Sequence, residues 1–378
     1  MSSERNFSLL AAVCDFGWGS LGKLRLILEK LPAIRLALYG NPDIVGVTKE
    51  LLGSRHEFSE YSPEQSDVAV VINDPVAANS IADLTIPVVY VDSLPYLWTT
   101  GAEIPAREKV AYYCAQKFPA ELFPIASPLR VWNDIRWIDP IVPASHSRRG
   151  GHGIVVNVGG LHSHLVGNAV DGYLHLVLFP LLRVLQSSGH EIYAVCGNLS
   201  AETRRRLQAV LPKCRVIGAQ TPYAFEGILK NADLLITSPG STTILQAMSI
   251  KLPTLLLPPQ NLSQIFNAQL YSKPGARIMQ WPASVLDNAK VEQLRPQGED
   301  PVLAYIYQSI ADAATRPEAL QEVETMIRNA VQDAPADGVL NHCLSTLGSA
   351  GASQVAQLIK QAMFAPIPRW DMPIAAPS

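Results

Sequence analysis

The sequence predicts an α/β protein built as two Rossmann-like domains with a central cleft. Three observations carry this. The chain has 378 residues, too long for one typical domain, and 48% of them are hydrophobic, enough to fill two cores. Short apolar runs alternate with helical patterns in both halves, as parallel strands joined by right-handed helical crossovers require. The alternation breaks once, between Pro140 and Gly153, in a stretch rich in Gly, Ser and Arg that reads as an exposed linker.

In the first half, Phe7–Val13 is an apolar run that ends in the loop from Cys14 to Gly22, and a helical pattern follows over Lys23–Lys30. Arg35–Tyr39, Asp67–Ile72, Val88–Val91 and Val110–Ala115 read as short buried strands. After the linker, Ile154–Val158 is a strand ending at Gly159 and Gly160, followed by a helix over about Asp171–Ser188. The strand Glu191–Val195 leads to a helix over Ser200–Leu211, with Ser200 as its N-cap. The strand Arg215–Ile217 and the helix Tyr223–Asn231 come next. Leu234–Thr237 and Thr254–Leu257 are strands that flank a helix ending near Ser249. From about Glu318 to Met363 the pattern is helical, and the tail from Phe364, with four prolines, should be loosely held. The expected domains are 1–140 and 154–348. A linker over 141–153 joins them, and a C-terminal helix and tail over 349–378 close the chain.

Composition narrows the function. The formal net charge is −3, from 30 basic and 33 acidic residues, which argues against nucleic acid as a partner. The one dense basic cluster, Arg204, Arg205 and Arg206, points three ways around a helix and reads as solvated surface. The five cysteines are scattered and contain no CxxC pair, so neither a disulfide framework nor a zinc site is expected. His162, His164 and His175 do not form a metal set. No run approaches the ~20 apolar residues needed to span a bilayer. The apolar N-terminal stretch reaches Asp15 too soon for a secretory signal. A soluble, cytoplasmic protein, monomeric or homodimeric, is the expectation.

The strongest motif is Leu234–Ala247. A buried strand ends, the turn Ser238-Pro-Gly240 follows, and a helix starts at Ser241, Thr242 and Thr243. Gly240 lets a ligand approach the backbone, and free N–H groups at the helix start attract a diphosphate. Gln246 comes one turn later, on a face that reaches a ribose hydroxyl. A plain capped turn would look the same in isolation. The next loop adds Gln260, Asn261, Gln264 and Asn267, and neutral amides at a strand's carboxyl end suit sugar hydroxyls. The alternative there is a helix N-cap at Asn261 or Ser263.

The order and spacing of these segments, through to Gly275-Ala276, resemble the donor domain of GT-B glycosyltransferases. The resemblance spans roughly Ile154–Ala276 and is greatest to the relatives of the lipid-linked N-acetylglucosaminyltransferase of peptidoglycan synthesis and of the glucuronosyltransferases. It implies that Gly240, Ser241, Thr242 and Thr243 hold a diphosphate and that Gln246, where the family usually has Glu, meets the ribose. It implies too that Gln264, beside Gln260, contacts the donor sugar. Phe225 would lie near the nucleobase, with Ile217 and Gly218 supplying backbone contacts, and Gly159 and Gly160 would touch the donor phosphates. No bound metal or other cofactor is implied, the UDP-sugar being a substrate.

The N-terminal loop Asp15-Phe-Gly-Trp-Gly-Ser-Leu-Gly-Lys23 meets the GxxxxGK part of a phosphate loop, but Leu24 stands where the magnesium-binding hydroxyl belongs. The resemblance makes this loop the acceptor side of the cleft, with Gly17, Trp18, Gly19, Ser20 and Lys23 as contacts. Trp18, Tyr96 and Trp98 could stack an acceptor ring and could equally be core aromatics. Many GT-B enzymes place a His base in this loop, which has none. Asp15, Asp74 and Asp92 end strands or loops toward the cleft, and Asp15 and Asp92 are the candidate general bases; each also suits an N-cap or turn. Phe16-Gly-Trp-Gly-Ser-Leu-Gly-Lys-Leu24 is similar to cytosylglucuronate synthases of nucleoside-antibiotic pathways, a branch of secondary metabolism. That similarity implies transfer of glucuronic acid from its UDP donor to cytosine. Two rivals share the architecture: a nonhydrolysing UDP-sugar epimerase, and a non-catalytic donor-binding partner of another transferase.

Overall fold

A computed structural model describes residues 7–14, 19–53, 57–58, 65–98, 104–119, 129, 134–143, 148–159, 161, 170–334 and 341–364. Two all-parallel sheets organise them. The first contains β1 (Phe7–Val13), β2 (Ile34–Tyr39), β3 (Glu57–Phe58), β4 (Val68–Ile72), β5 (Val88–Asp92), β6 (Tyr112–Gln116) and β7 (Arg136–Ile138). Its spatial order is β3-β2-β1-β4-β5-β6-β7. The second contains β8 (Ile154–Asn157), β9 (Ile192–Cys196), β10 (Arg215–Ile217), β11 (Leu234–Thr237), β12 (Thr254–Leu256) and β13 (Arg277–Ile278), in the order β10-β9-β8-β11-β12-β13. Each sheet therefore reverses direction once, between β1 and β4 and between β8 and β11. In open parallel sheets, ligands bind outside the carboxyl ends of strands at such a reversal.

The central strands are apolar on both faces because helices cover both. All seven residues of β1 are buried, as are all five of β4 and of β5. The expected strands are present to within two residues at each end. The helix after the first loop runs over Gly19–Leu28, four residues earlier than its apolar pattern suggested. The small residues Gly19, Ser20 and Gly22 hide the pattern there. The helices Pro42–Leu52 and Pro75–Ala82 were not anticipated, nor were the edge strands β3, β7 and β13. Asp74 caps the second of those helices by accepting from the Ala77 N–H at 2.8 Å, so this acid fills the N-cap role. Ser200 caps the helix Ala201–Val210 as expected, accepting from the Thr203 N–H at 3.0 Å.

The long helix over 170–187 is interrupted by a π-helical stretch, Leu174–Leu178, just before Pro180. Proline has no N–H to give the preceding turn, and a widened turn accommodates it.

The helix Gly351–Ala362 leaves the second domain and packs on the first. Its Ala352, Val355, Ile359 and Ala362 share a core with Leu24, Ile27 and Val70. Gly351 is needed for this docking, since a Cβ would run into the Asp139 carbonyl. The Asp139 N–H donates to Gln354 Oε1 at 2.7 Å, and Lys117 Nζ lies 2.8 Å from the Asp139 carboxylate. Most of the proline-bearing tail lies outside the described residues. No helix among the described residues is long and apolar enough to cross a membrane. Ile359→Ala should lower the stability of the first domain by about 2–5 kcal/mol in urea unfolding, the usual cost of an emptied core site. Alanine at the exposed Lys360 should change it by less than about 0.5 kcal/mol.

Candidate active site

The residues expected to bind the donor gather at the second reversal. The helix Ser241–Ser249 starts directly after β11, with Gly240 at the N-cap and no side-chain cap. Its first N–H groups are thus left for another acceptor. Gly240 has an ordinary backbone conformation (φ −78°), and a Cβ there would meet open space. Its value is therefore close approach rather than a special turn. Thr242 and Gln246 are one turn apart on one helix face. Gln246 is largely buried and precedes Ser249, which donates to its carbonyl at 2.8 Å.

Beside this turn, two residues beyond the end of β8, stands Gly159, whose positive φ of 60° favours glycine. Ser238 is its neighbour: a Cβ on Gly159 would lie 3.4 Å from the Ser238 Cβ. Gly160 lies outside the described residues. Ile217 and Phe225 flank one apolar cluster on β9 and β11, and Gly218 faces the Arg204 side chain.

The amide loop divides between structure and site. Asn261 caps the helix Leu262–Ser272, accepting from the Gln264 N–H at 2.9 Å. Gln260 is buried and donates to Ser238 Oγ at 2.6 Å and to the Val158 carbonyl at 3.3 Å, strapping β8 to the β11 turn. Gln264 Oε1 accepts from the Gln260 N–H at 2.8 Å, and its amide NH₂ meets no acceptor among the described residues. Asn267 donates to the Pro239 carbonyl at 2.9 Å and accepts from the Tyr96 hydroxyl of the first domain. Three of these four amides thus shape the loop that frames the site.

The first domain presents its own reversal. Asp15, Gly17 and Trp18 lie outside the described residues. Gly19 begins a helix, and a Cβ there would come 2.9 Å from Thr242 Oγ1. Ser20 Oγ lies 3.1 Å from Cys14 Sγ and 3.3 Å from Asn73 Nδ2. Asn73, at the end of β4 with φ 55°, also exchanges two 2.8 Å hydrogen bonds with Ser93. Sequence reasoning missed Asn73, although a strand-ending Asn before Asp-Pro is a turn signal. Lys23 crosses the cleft: its Nζ donates to Thr242 Oγ1 at 2.7 Å. Expected as an acceptor contact, Lys23 is carried by the helix Gly19–Leu28 and reaches the start of the helix Ser241–Ser249.

Asp92 and Trp98 are brought together. Asp92 is fully buried (0% exposed) and accepts from Trp98 Nε1 at 2.8 Å, from the Tyr113 hydroxyl at 2.6 Å and from the Leu94 N–H at 2.8 Å. The carboxylate thus anchors the loop that carries Trp98 and Tyr96. Burial pushes the Asp92 carboxyl up to about 6, against the three hydrogen bonds that favour its charge. A carboxyl raised in the folded state favours folding below its ordinary value of 3.8, and that gain is lost as pH rises through 6. Between pH 4 and pH 7 the wild type should lose about 2 kcal/mol of urea stability relative to Asp92→Asn. A difference that stays flat with pH would show that Asp92 does not titrate in this range.

Among the described residues no group of His, Cys, Asp and Glu side chains is arranged to hold a metal ion. No curated protein sequence matches the chain. Solved structures match its fold. A UDP-glucosyltransferase from Polygonum tinctorium has a TM-score of 0.52 at 11% identity, over 96% of this chain and 100% of that one. A putative UDP-N-acetylglucosamine 2-epimerase from Listeria monocytogenes has a TM-score of 0.50 at 10% identity, over 96% and 98%. The spinosyn rhamnosyltransferase SpnG, complexed with thymidine diphosphate, has a TM-score of 0.50 at 13% identity, over 90% and 100%. The shared architecture is the GT-B fold, that of many glycosyltransferases. The family model of the CGA synthase-related proteins matches residues 48–295, more than half of the chain, and the chain belongs to that family.

Proposed function

We propose that the protein is a glycosyltransferase that moves a sugar from a UDP-sugar to a small acceptor in the cleft. The observation that carries this reading is the helix Ser241–Ser249, which starts uncapped at the β8/β11 reversal and faces the first domain's own reversal. An acceptor oxygen or nitrogen attacks the anomeric carbon and forms the new glycosidic bond. The bond from that carbon to the β-phosphate oxygen breaks, and its electron pair leaves with the UDP. The acceptor's proton passes to a carboxylate, for which Asp15 is the stronger candidate, since the Asp92 oxygens are buried and already accept from Trp98, Tyr113 and the Leu94 N–H. Negative charge grows on the β-phosphate oxygen, where the helix N-terminus is already placed to meet it. Thr242 contacts the phosphates, Gln246 the ribose and the Gln264 amide the sugar. This reading needs no metal for the leaving group.

Glucuronic acid as the donor sugar and cytosine as the acceptor are supported by two separate parts of the chain. The glycine loop before Leu24 resembles cytosylglucuronate synthases, and the family match begins beyond it, at residue 48. The likeness to an epimerase keeps one rival in view, which acts on a UDP-sugar without an acceptor.

The test is turnover by the purified single chain. UDP should be released from UDP-glucuronic acid when cytosine is present, and a new ultraviolet-absorbing glycoside should form. Conversion of a UDP-sugar to its epimer without acceptor would replace this reading with the rival. Thr242→Ala and Gln246→Ala should each weaken UDP binding by about tenfold in calorimetry, the loss expected for one hydrogen bond to a charged or buried partner. Unchanged affinity in both would remove the donor-site assignment.

A further inference from the structure

We propose that Lys23, though carried by the first domain, is a contact of the donor's diphosphate: on donor binding its ammonium transfers from the Thr242 hydroxyl to the phosphate oxygens. This rests on the glycosyltransferase reading and gives that reading a second, cross-cleft stabiliser of the leaving group.

Three positive ends converge at one place. The helix Gly19–Leu28 begins at Gly19, and the helix Ser241–Ser249 begins beside it, with Thr242 Oγ1 only 3.4 Å from the Gly19 carbonyl oxygen. Each helix N-terminus carries about half a positive charge. Between them stands Lys23, 2% exposed, with its Nζ on Thr242 Oγ1 at 2.7 Å. Glycine at position 19 is what permits this approach, because a Cβ would press on Thr242 Oγ1 at 2.9 Å.

The convergence is unfavourable unless an anion joins it. An ammonium has three donors, and Lys23 uses one of them among the described residues. No carboxylate pairs with it there; the titratable group acting on it is the Cys14 thiol at the end of β1. Burial pushes its pKa down to about 8, as expected for a cation removed from water without a counter-ion. A buried lysine at the mouth of two helices is costly as pure structure. A diphosphate supplies the missing charge to all three groups at once.

Lys23 belongs to one domain and the helix Ser241–Ser249 to the other, so the contact reaches the diphosphate from across the cleft. The ammonium keeps its proton throughout; its part is to offset the charge that develops on the departing phosphate oxygen.

The experiment is calorimetry of UDP and uridine on the full-length wild type, Lys23→Gln and Lys23→Arg. Lys23→Gln should weaken UDP at least tenfold and leave uridine unchanged, while Lys23→Arg stays within a few-fold of wild type for both. The wild-type affinity for UDP should also fall by about tenfold from pH 7 to pH 9, as a free-state value near 8 dictates, and that fall should vanish in Lys23→Gln. The wild-type pH series decides the matter if the Gln variant does not fold. UDP binding by Lys23→Gln at wild-type strength, or a flat wild-type pH series, would overturn the role of Lys23 and leave the donor site standing. Equal weakening of UDP and uridine would make Lys23 a prop of the domain interface and overturn it too. A wild type that binds neither ligand would remove the donor site itself.

Discussion

The structure turns on a repulsion. Two parallel sheets point their carboxyl ends at each other, and at the meeting point the starts of two helices and the Lys23 ammonium crowd together. Backbone geometry creates this field, because a helix that follows a strand in a parallel sheet directs its N–H groups to the same edge. The small residues on both sides serve that geometry. Gly19 and Gly240 keep the backbones bare where a side chain would stand between the field and a ligand.

Opposing contacts hold the domains together despite that field. Tyr96 and Leu97 of the first domain join the apolar core of the second, and the Tyr96 hydroxyl reaches Asn267. Arg295 lies over the Phe266 ring at 4.2 Å and donates to the carbonyls of Tyr96 and Leu97, both at 3.3 Å. The loop that makes these contacts is itself fixed by Asp92 through Leu94 and Trp98. The C-terminal helix Gly351–Ala362 then returns to the first domain, so the chain ties the two domains twice. The site is thus a tensioned one: apolar packing and hydrogen bonds at the domain interface hold in proximity charges that an anion would relieve.

Much of this was legible in the sequence where a local rule decides. The apolar runs Phe7–Val13 and Leu234–Thr237 are strands because nothing but burial on two faces suits them, and Ser200 caps its helix because its hydroxyl has an N–H to meet. The turn at Gly240 was legible for the same reason. What was hidden depends on partners distant in the chain. The segment Gly19–Gly22 does not show its helix, since glycines and serine have little apolar pattern to display. Lys23 reads as an acceptor contact from its place in the first domain, and its bond to Thr242 spans 219 positions. Gln260 and Asn267 look like sugar ligands by residue type, yet their amides are spent on Ser238, Pro239 and Tyr96. Neutral amides serve either purpose, and geometry alone assigns them.

The most direct measurement is a calorimetric comparison of UDP, GDP, TDP and ATP with the wild-type chain at pH 7. A site formed by converging helix starts and completed by a nucleoside pocket should bind UDP in preference to the others. It should also bind UDP more tightly than inorganic pyrophosphate, which shares the diphosphate but lacks the nucleoside. Equal, weak binding of all these anions, pyrophosphate included, would contradict the account, because the cleft would then be an electrostatic trap without a donor pocket.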